Sequence, residues 1–368
     1  MKRKIISLCT ILASALLLSG CKGNTSRGDL KVFQPGEYID ETLIKEFEDE
    51  YNCSVTYLTF DSNEAAVTKM STEDYDIVTP SDYSIEQLAK QDMLLEIDWS
   101  RIEATQDNYT DFLRETLADL KSDKGDVKGF DLLKYGVPYF YGQVVIVYDA
   151  NKISKEDVET EGWDIFRNPK YKNLTAYYDN PRDGFMAAEK ALGYSMNTTD
   201  PKELEEAFNW VIDVRKATNS AFKTDELLSE MPQGKYALSL MYSGDAIYAM
   251  SEEDENVDLQ MFAPESGTNV YIDAMVIPKN CKNVDLAYNW INFMNRHENA
   301  LANSIEVGYT SPFTSVCEEI TREDSENGEY ADYADYYNLE YNYKNEVYRY
   351  DSQLKIKIND FWVKLKLY

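Results

Sequence analysis

Residues 30–91, LKVFQPGEYIDETLIKEFEDEYNCSVTYLTFDSNEAAVTKMSTEDYDIVTPSDYSIEQLAKQ, carry the pattern that decides the fold. Leu30 to Phe33 reads as a short strand. Asp40 stands as an N-cap before a segment that sets Leu43, Ile44, Phe47 and Tyr51 on one helical face. Val55 to Phe60 is a second strand, and a helix begins near Asn63. Asp76 to Thr79 is a third strand stopped by Pro80, and Ser84 to Gln91 is another helix. Strands alternating with helices in this way predict an α/β fold, a parallel sheet with helices on both faces. Ligands of such sheets bind beyond the carboxyl ends of the strands. Those ends are Gln34 to Tyr38, Asp61 to Glu64 and Ser81 to Tyr83.

Toward the C-terminus, Tyr135 to Asp149 is apolar and aromatic with a proline at 138, which suggests a crossing into a second domain. Asn173 to Tyr178 is a strand followed by the loop Asp179-Asn180-Pro181-Arg182-Asp183. Glu203 to Ala217 is an amphipathic helix with Leu204, Ala207, Phe208, Val211 and Ile212 at helical spacing. Ala237 to Tyr242 is a strand running into Ser243-Gly244-Asp245. Residues 261–278 then place Tyr271 and Asp273 two apart in an extended run, hence on one face. A ring and a carboxylate side by side make a seat for an organic cation, since the ring quadrupole and the anion both attract positive charge. Val284 to Asn295 and Leu354 to Leu367 read as helices, whereas Glu323 to Tyr350, dense in tyrosine and acids, has no clean period and reads as irregular surface covering.

Toward the N-terminus, Lys2, Arg3 and Lys4 precede an apolar stretch, Ile5 to Leu18, too short to span a membrane comfortably. It ends in Leu18-Ser19-Gly20-Cys21, which resembles the lipobox of bacterial lipoproteins. That resemblance implies a signal peptide over 1–20, a lipid on the Cys21 sulfur and a flexible tether over 21–28. The protein is then expected outside the cell, anchored by lipid to the outer face of its membrane.

At 368 residues the chain suggests two domains, and 43% hydrophobic with 13% aromatic residues suffices for packed cores. A net charge of −29 argues against nucleic acid and anionic membrane surfaces, and favours cationic partners. Beyond Cys9 in the leader and Cys21, the cysteines Cys53, Cys281 and Cys317 leave room for one disulfide and a thiol, with no pairing favoured. A single histidine, His297, in a helical polar setting reads as a surface residue and speaks against a metal site. No cofactor is called for.

In order along the chain come Gln34-Pro35-Gly36-Glu37-Tyr38, Ser62-Asn63-Glu64, Tyr75 to Tyr83, Val137-Pro138-Tyr139-Phe140-Tyr141-Gly142, Pro181-Arg182-Asp183 and Leu192 to Pro201. Tyr242-Ser243-Gly244-Asp245, Tyr271-Ile272-Asp273 and Gly308-Tyr309-Thr310-Ser311-Pro312 follow. This succession, covering most of residues 30–313, resembles the spermidine/putrescine-binding proteins of ABC importers. The resemblance implies a two-lobed periplasmic-binding-protein-like fold of type II, each lobe a mixed, mostly parallel sheet flanked by helices, hinged about a ligand cleft. It implies one lobe from 29–138 with 274–318 and another from 139–273 with 319–368. It implies a monomer that takes a polyamine, spermidine or putrescine, and hands it to permease subunits driven by a cytoplasmic ATPase. Asp273 and Asp183 match acids that hold ligand ammonium groups, and Tyr271, Tyr242, Tyr83 and Tyr38 match aromatics along the methylene chain. Ser62, Glu64, Ser81 and Asn180 match polar contacts, and Tyr141 an aromatic wall.

The sequence departs from the family at several of these places. Asn180 stands where one branch has an acid, and Pro35, Tyr141, Tyr242 and Tyr271 stand where tryptophan is frequent; Pro35 removes a ring and the tyrosines weaken the attraction for a cation. An exported hydrolase is the rival from another class, but the chain has no Gly-x-Ser-x-Gly and no His-Glu-x-x-His. Asp82 with Glu64 is a conceivable glycosidase pair. A nearer rival is a binding protein of the same fold for another small cationic or neutral ligand.

Overall fold

The structure, a computed structural model, describes residues 28–124 and 127–368. The expected signal peptide over 1–20 and the Cys21 lipidation site lie outside the described residues. The first unit begins with β1 (Asp29–Pro35), α1 (Thr42–Tyr51), β2 (Ser54–Phe60), α2 (Asn63–Met70), β3 (Ile77–Val78), α3 (Asp82–Lys90) and α4 (Asp111–Lys121). The long strand β4 (Gly136–Asp149) leads into α5 (Lys155–Glu161), β5 (Ala176–Tyr178), α6 (Pro181–Leu192), α7 (Pro201–Thr218), β6 (Ala221–Lys223), α8 (Leu227–Glu230), β7 (Leu238–Tyr242), α9 (Ser243–Ser251) and β8 (Leu259–Phe262). The chain returns through β9 (Val270–Val276) to α10 (Val284–Met294), α11 (His297–Val307), α12 (Thr314–Ile320), α13 (Ala334–Tyr337) and α14 (Ser352–Leu365).

β4 and β9 organise everything else. β1 pairs in parallel with β2 and β3, as the alternating pattern predicts, and β3 meets β9 antiparallel at Val78 and Val276. β9 then pairs antiparallel with the first half of β4, from Gly136–Val276 to Gln143–Val270, with a register shift between Pro138 and Phe140. Proline has no amide to give the ladder, so a shift there interrupts least. The second half of β4 pairs instead with β7 and β8, and the Thr175–Leu238 bridge attaches the parallel pair β5 and β6. One strand thus serves two sheets. All fourteen residues of β4 are buried, as strands covered on both faces must be.

Local chemistry sets the helix starts that point at the cleft. Ser62 is extended, and its hydroxyl accepts from the Ala65 amide at 3.2 Å, opening α2. Asn180 does the same for α6, accepting from the Arg182 amide at 3.0 Å, with Pro181 at the first helical position. Both loops leave strand ends, so α2 and α6 bring their first turns to the same opening from opposite sides.

The Tyr- and acid-rich segment after α12 is mostly irregular, as its sequence suggests, yet it does more than cover surface. Tyr330 and Tyr337 are buried and stacked 5.6 Å apart, and the Tyr337 hydroxyl donates to the Tyr309 carbonyl at 3.0 Å. Residues 344–350 run beside the start of β9: the Val270 amide donates to the Glu346 carbonyl at 2.8 Å, and the Glu346 amide to the Thr268 carbonyl at 3.0 Å. Arg349 then clasps Glu86 of α3 through Nε at 3.1 Å and Nη2 at 2.9 Å. The segment is a strap across the junction of the two sheets.

Among the thiols, Cys281 donates to Asp76 at 3.2 Å and Cys317 to the Ser311 carbonyl at 3.4 Å, and burial pushes both up to about 12. His297 begins α11, half-exposed, its Nε2 2.7 Å from Glu319. Among the described residues no cluster of His, Cys, Asp and Glu could hold a metal, and no helix is long and apolar enough to cross a membrane.

Candidate functional site

Two buried carboxylates define the cleft. Asp273 lies in β9 where Ser81 bridges to it from the loop after β3, and its Oδ2 accepts the Tyr38 hydroxyl. Asn63 fixes Ser81 from both sides, donating to its hydroxyl and accepting from its amide, each at 2.9 Å. Asp183 lies in the first turn of α6; its Oδ2 accepts the Tyr242 hydroxyl at 2.8 Å and its Oδ1 accepts from the Asn269 side-chain Nδ2 at 3.4 Å. Asp273 is 6% exposed and Asp183 3%. Neither forms an ion pair among the described residues.

Tyrosine rings join the two acids in a continuous path. From Asp273 the path starts at Tyr38, whose ring meets Tyr309 at 5.3 Å; Tyr309 meets Tyr271 at 6.1 Å and Tyr271 meets Tyr242 at 5.1 Å. The Tyr242 hydroxyl then reaches Asp183. Two glycines make room for it. A Cβ on Gly142 would lie 2.2 Å from the Tyr271 hydroxyl, and one on Gly244 would lie 1.9 Å from the Tyr309 ring. Aromatic faces spaced between acids suit an extended cation with apolar spacers.

Burial pushes the Asp273 carboxyl above the usual range, against the bonds from Ser81 and Tyr38. Burial likewise raises Asp183, opposed by Arg182, Tyr242 and Asn269. Asp82, which accepts the Ile272 amide at 2.8 Å beside Asp273, is pushed up to about 8 by burial and by the Asp273 charge. Asp245, bonded to the Tyr309 hydroxyl at 2.7 Å, rises to about 6, chiefly by burial. Each of these acids is short of positive charge. A cation placed among them would offset the desolvation that raises them.

The other expected contacts divide. Tyr83 stands at the cleft with Glu64, but both face Arg182, which donates to Glu64 Oε1 at 2.6 Å and to the Tyr83 hydroxyl. Ser62 is exposed and caps α2; Asn180 caps α6. Tyr141 stands apart, buried with its ring stacked on Phe112 at 5.5 Å and its hydroxyl 2.8 Å from Thr110, in the core of the first sheet. Sequence reasoning missed Tyr309 and Asp245, although both lie inside the Gly308-Tyr309 and Ser243-Gly244-Asp245 motifs it singled out. It also missed Asn269, Arg182 and Tyr348, the last from the strap, 6.3 Å from Tyr83 ring to ring. Among the described residues the buried Tyr348 hydroxyl and Asn269 Oδ1 have no hydrogen-bond partner, so each keeps bonding capacity beside the path.

Two sheets sharing a crossing strand, with acids and rings turned into the seam, define a two-lobed solute-binding protein. The profile of bacterial extracellular solute-binding proteins matches residues 42–334, and the chain belongs to that family, whose members bind and pass on solutes rather than convert them. The spermidine/putrescine-binding periplasmic protein of Salmonella typhimurium is 30% identical over 308 residues, 82% of this chain and 83% of that protein. The putrescine/cadaverine-binding protein of Pseudomonas aeruginosa is 29% identical over 311 residues, 81% and 84% of the two chains. The spermidine/putrescine ABC transporter substrate-binding protein PotD of Streptococcus pneumoniae has a similar solved structure, with a TM-score of 0.73 and 33% identity, covering 92% of this chain and 99% of that one.

Proposed function

We propose that the protein captures a polyamine, spermidine or putrescine, between its lobes and delivers it to an ABC importer. One observation carries this reading: Asp273 and Asp183, two buried acids with no ion pair among the described residues, stand at the ends of one tyrosine path. An alkyl diammonium has the same alternation, charge then apolar spacer then charge. The names of the relatives point to the same ligand class. Asp273 and Asp183 take ammonium groups, while Tyr38, Tyr309, Tyr271 and Tyr242 line the methylenes. We place Tyr83 and Ser81 as supports of this line. The lobes divide as 29–138 with 274–318 and 139–273 with 319–368, the strap tying one to the other. Cys21 carries the lipid that holds the monomer at the outer face of the membrane.

Calorimetric titration of the full chain in mild detergent with putrescine, spermidine and spermine tests the reading, alongside Asp273→Asn. Binding at micromolar concentration or tighter is expected, with a loss of about 3–5 kcal/mol in the variant, since removing one partner of a buried pair leaves the other uncompensated. No heat from any of the three amines at millimolar concentration would sink the proposal.

A further inference from the structure

Helix α14 is apolar on two faces, and only one of them is covered. Leu354, Ile358, Trp362 and Leu365 are buried on the side packed against α6 and α7. On the opposite side Ile356, Val363 and Leu367 recur at intervals of seven and four, which sets them in one line along the helix. The Leu367 amide donates to the Lys364 carbonyl at 3.0 Å, so the chain still winds in the helical sense there. These three side chains are 54% to 84% exposed, and Tyr368 follows them at 67%. Four of the eight exposed large hydrophobics among the described residues therefore gather in one short stretch, whereas single scattered ones would need no explanation.

Lysines border this line on both sides, Lys357 and Lys364 along one flank and Lys355 and Lys366 along the other. The second flank is fastened to the protein: Lys355 Nζ lies 3.3 Å from Glu64 in the first turn of α2, and Lys366 Nζ donates to Asp179 after β5 at 3.0 Å. Lys357 and Lys364 are exposed and form no ion pair among the described residues. Asp360, the one acid on this face, stands three residues after Lys357 and four before Lys364, so it is outnumbered where it stands. Asp351 is engaged as the N-cap, accepting from the amides of Gln353 and Leu354. The net charge of −29 is thus carried elsewhere, since from Ser352 onward the chain holds four lysines and one acid. At physiological salt, charges more than about 8 Å away are largely screened, so distant acids do not cancel this patch.

We propose that this face of α14 lies on an anionic phospholipid surface, with Ile356, Val363 and Leu367 entering the headgroup boundary and Lys357 and Lys364 reaching the phosphates. An apolar line bordered by lysines suits a helix lying in the plane of a bilayer interface, because the lysine stems stay in apolar surroundings while their ammonium groups reach back to the headgroups. A second copy of the chain does not suit the face, since lysines would meet lysines across it. Glu64 and Asp179, which hold the inner flank, belong to the loops at the mouth of the cleft, so a membrane under α14 lies beside that mouth. The contact uses none of the residues assigned to the solute and is independent of which solute the cleft takes.

The test is amine-reactive labelling of the full chain, reconstituted at equal loading into vesicles of phosphatidylcholine alone or of equal parts phosphatidylcholine and phosphatidylglycerol. Neither lipid carries a primary amine, and the labels are read lysine by lysine by mass spectrometry. Reactivity of Lys357 and Lys364, taken relative to the exposed Lys45 and Lys128, should fall several-fold on the phosphatidylglycerol vesicles and stay unchanged on the others. The double variant Val363→Asp with Leu367→Asp, its fold checked by a melting curve, should restore the reactivity, and so should molar salt, which screens the lysines from the phosphates. Because the comparison is between lysines on chains already held at the vesicle, attachment through the N-terminal segment does not mimic the effect. Equal reactivity on the two vesicle types overturns the inference and leaves the face to a protein partner. Protection that survives in a folded double variant overturns it equally. Should the double variant not fold, the comparison of the two vesicle types decides.

Discussion

Glu64 and Glu86 stand on one side of a comparison, Asp273 and Asp183 on the other. All four are acids turned into or beside the same seam, and burial raises the pKa of each. For Glu64 the Arg182 charge overrides burial, with help from Lys355, and holds the carboxyl down at about 2. Arg349, the Tyr350 amide and Lys90 do the same for Glu86, which ends below its usual value. Asp273 and Asp183 receive hydroxyl and amide bonds in place of a full charge, and they end above theirs. Where a cation is hydrogen-bonded to the carboxylate it outweighs burial, and where only hydroxyl and amide groups are, burial prevails. The first pair ties α2 to α6 and α3 to the strap, whereas the second has no ion-paired partner among the described residues.

The comparison can be broken most severely by stripping an acid of the first kind. Arg349→Ala leaves Glu86 buried with Lys90 as its remaining cation, and should lower the unfolding free energy by about 3 kcal/mol, read from denaturant titration. A change within error would mean that the strap contributes little to holding the sheets. A smaller effect sharpens the geometry between the second pair. Gly142→Ala pushes a methyl into the Tyr271 hydroxyl, and overpacking of this kind should cost about 1–3 kcal/mol and displace the ring from its path. Its melting temperature and amine affinity should fall together.

The smallest effect is in the pH dependence. Asp82 has a folded value of about 8, above the ordinary value of about 4 for an exposed aspartate. The folded state therefore holds that proton more firmly than the unfolded chain. The resulting stability is fully present below about pH 4 and is lost as the pH rises through about 8. The melting temperature of the amine-free protein should fall between pH 5 and 8, and Asp82→Asn should flatten this slope. A bound ammonium lowers the neighbouring acids, so amine binding should release protons near pH 6, visible as a buffer-dependent heat. Equal slopes for wild type and Asp82→Asn would count against the assignment.

Much of the fold was legible in the chain because strand and helix alternate with distinct periods from Leu30 to Gln91, and because caps such as Ser62 mark their helices locally. The crossing strand was legible from its unbroken apolar run. Tyr141, which the family resemblance implies as an aromatic wall, packs on Phe112, and the register shift between Pro138 and Phe140 keeps the facing of later residues in β4 from being read by parity alone. The strap escaped notice because backbone pairing to residues 268–270 needs no side-chain period. In Pro181-Arg182-Asp183 the acid drew attention and the arginine did not. Its partner Glu64 lies 118 residues earlier, and no local pattern announces such a pairing.

The sharing of β4 between two sheets has a consequence for how the molecule comes apart. A hinge made of a flexible linker would let each lobe melt on its own. Here a strand whose every residue is buried contributes to both cores at once, so removing it from one sheet strips the centre of the other. The two halves are therefore expected to share one cooperative transition, and a calorimetric scan should trace a single peak.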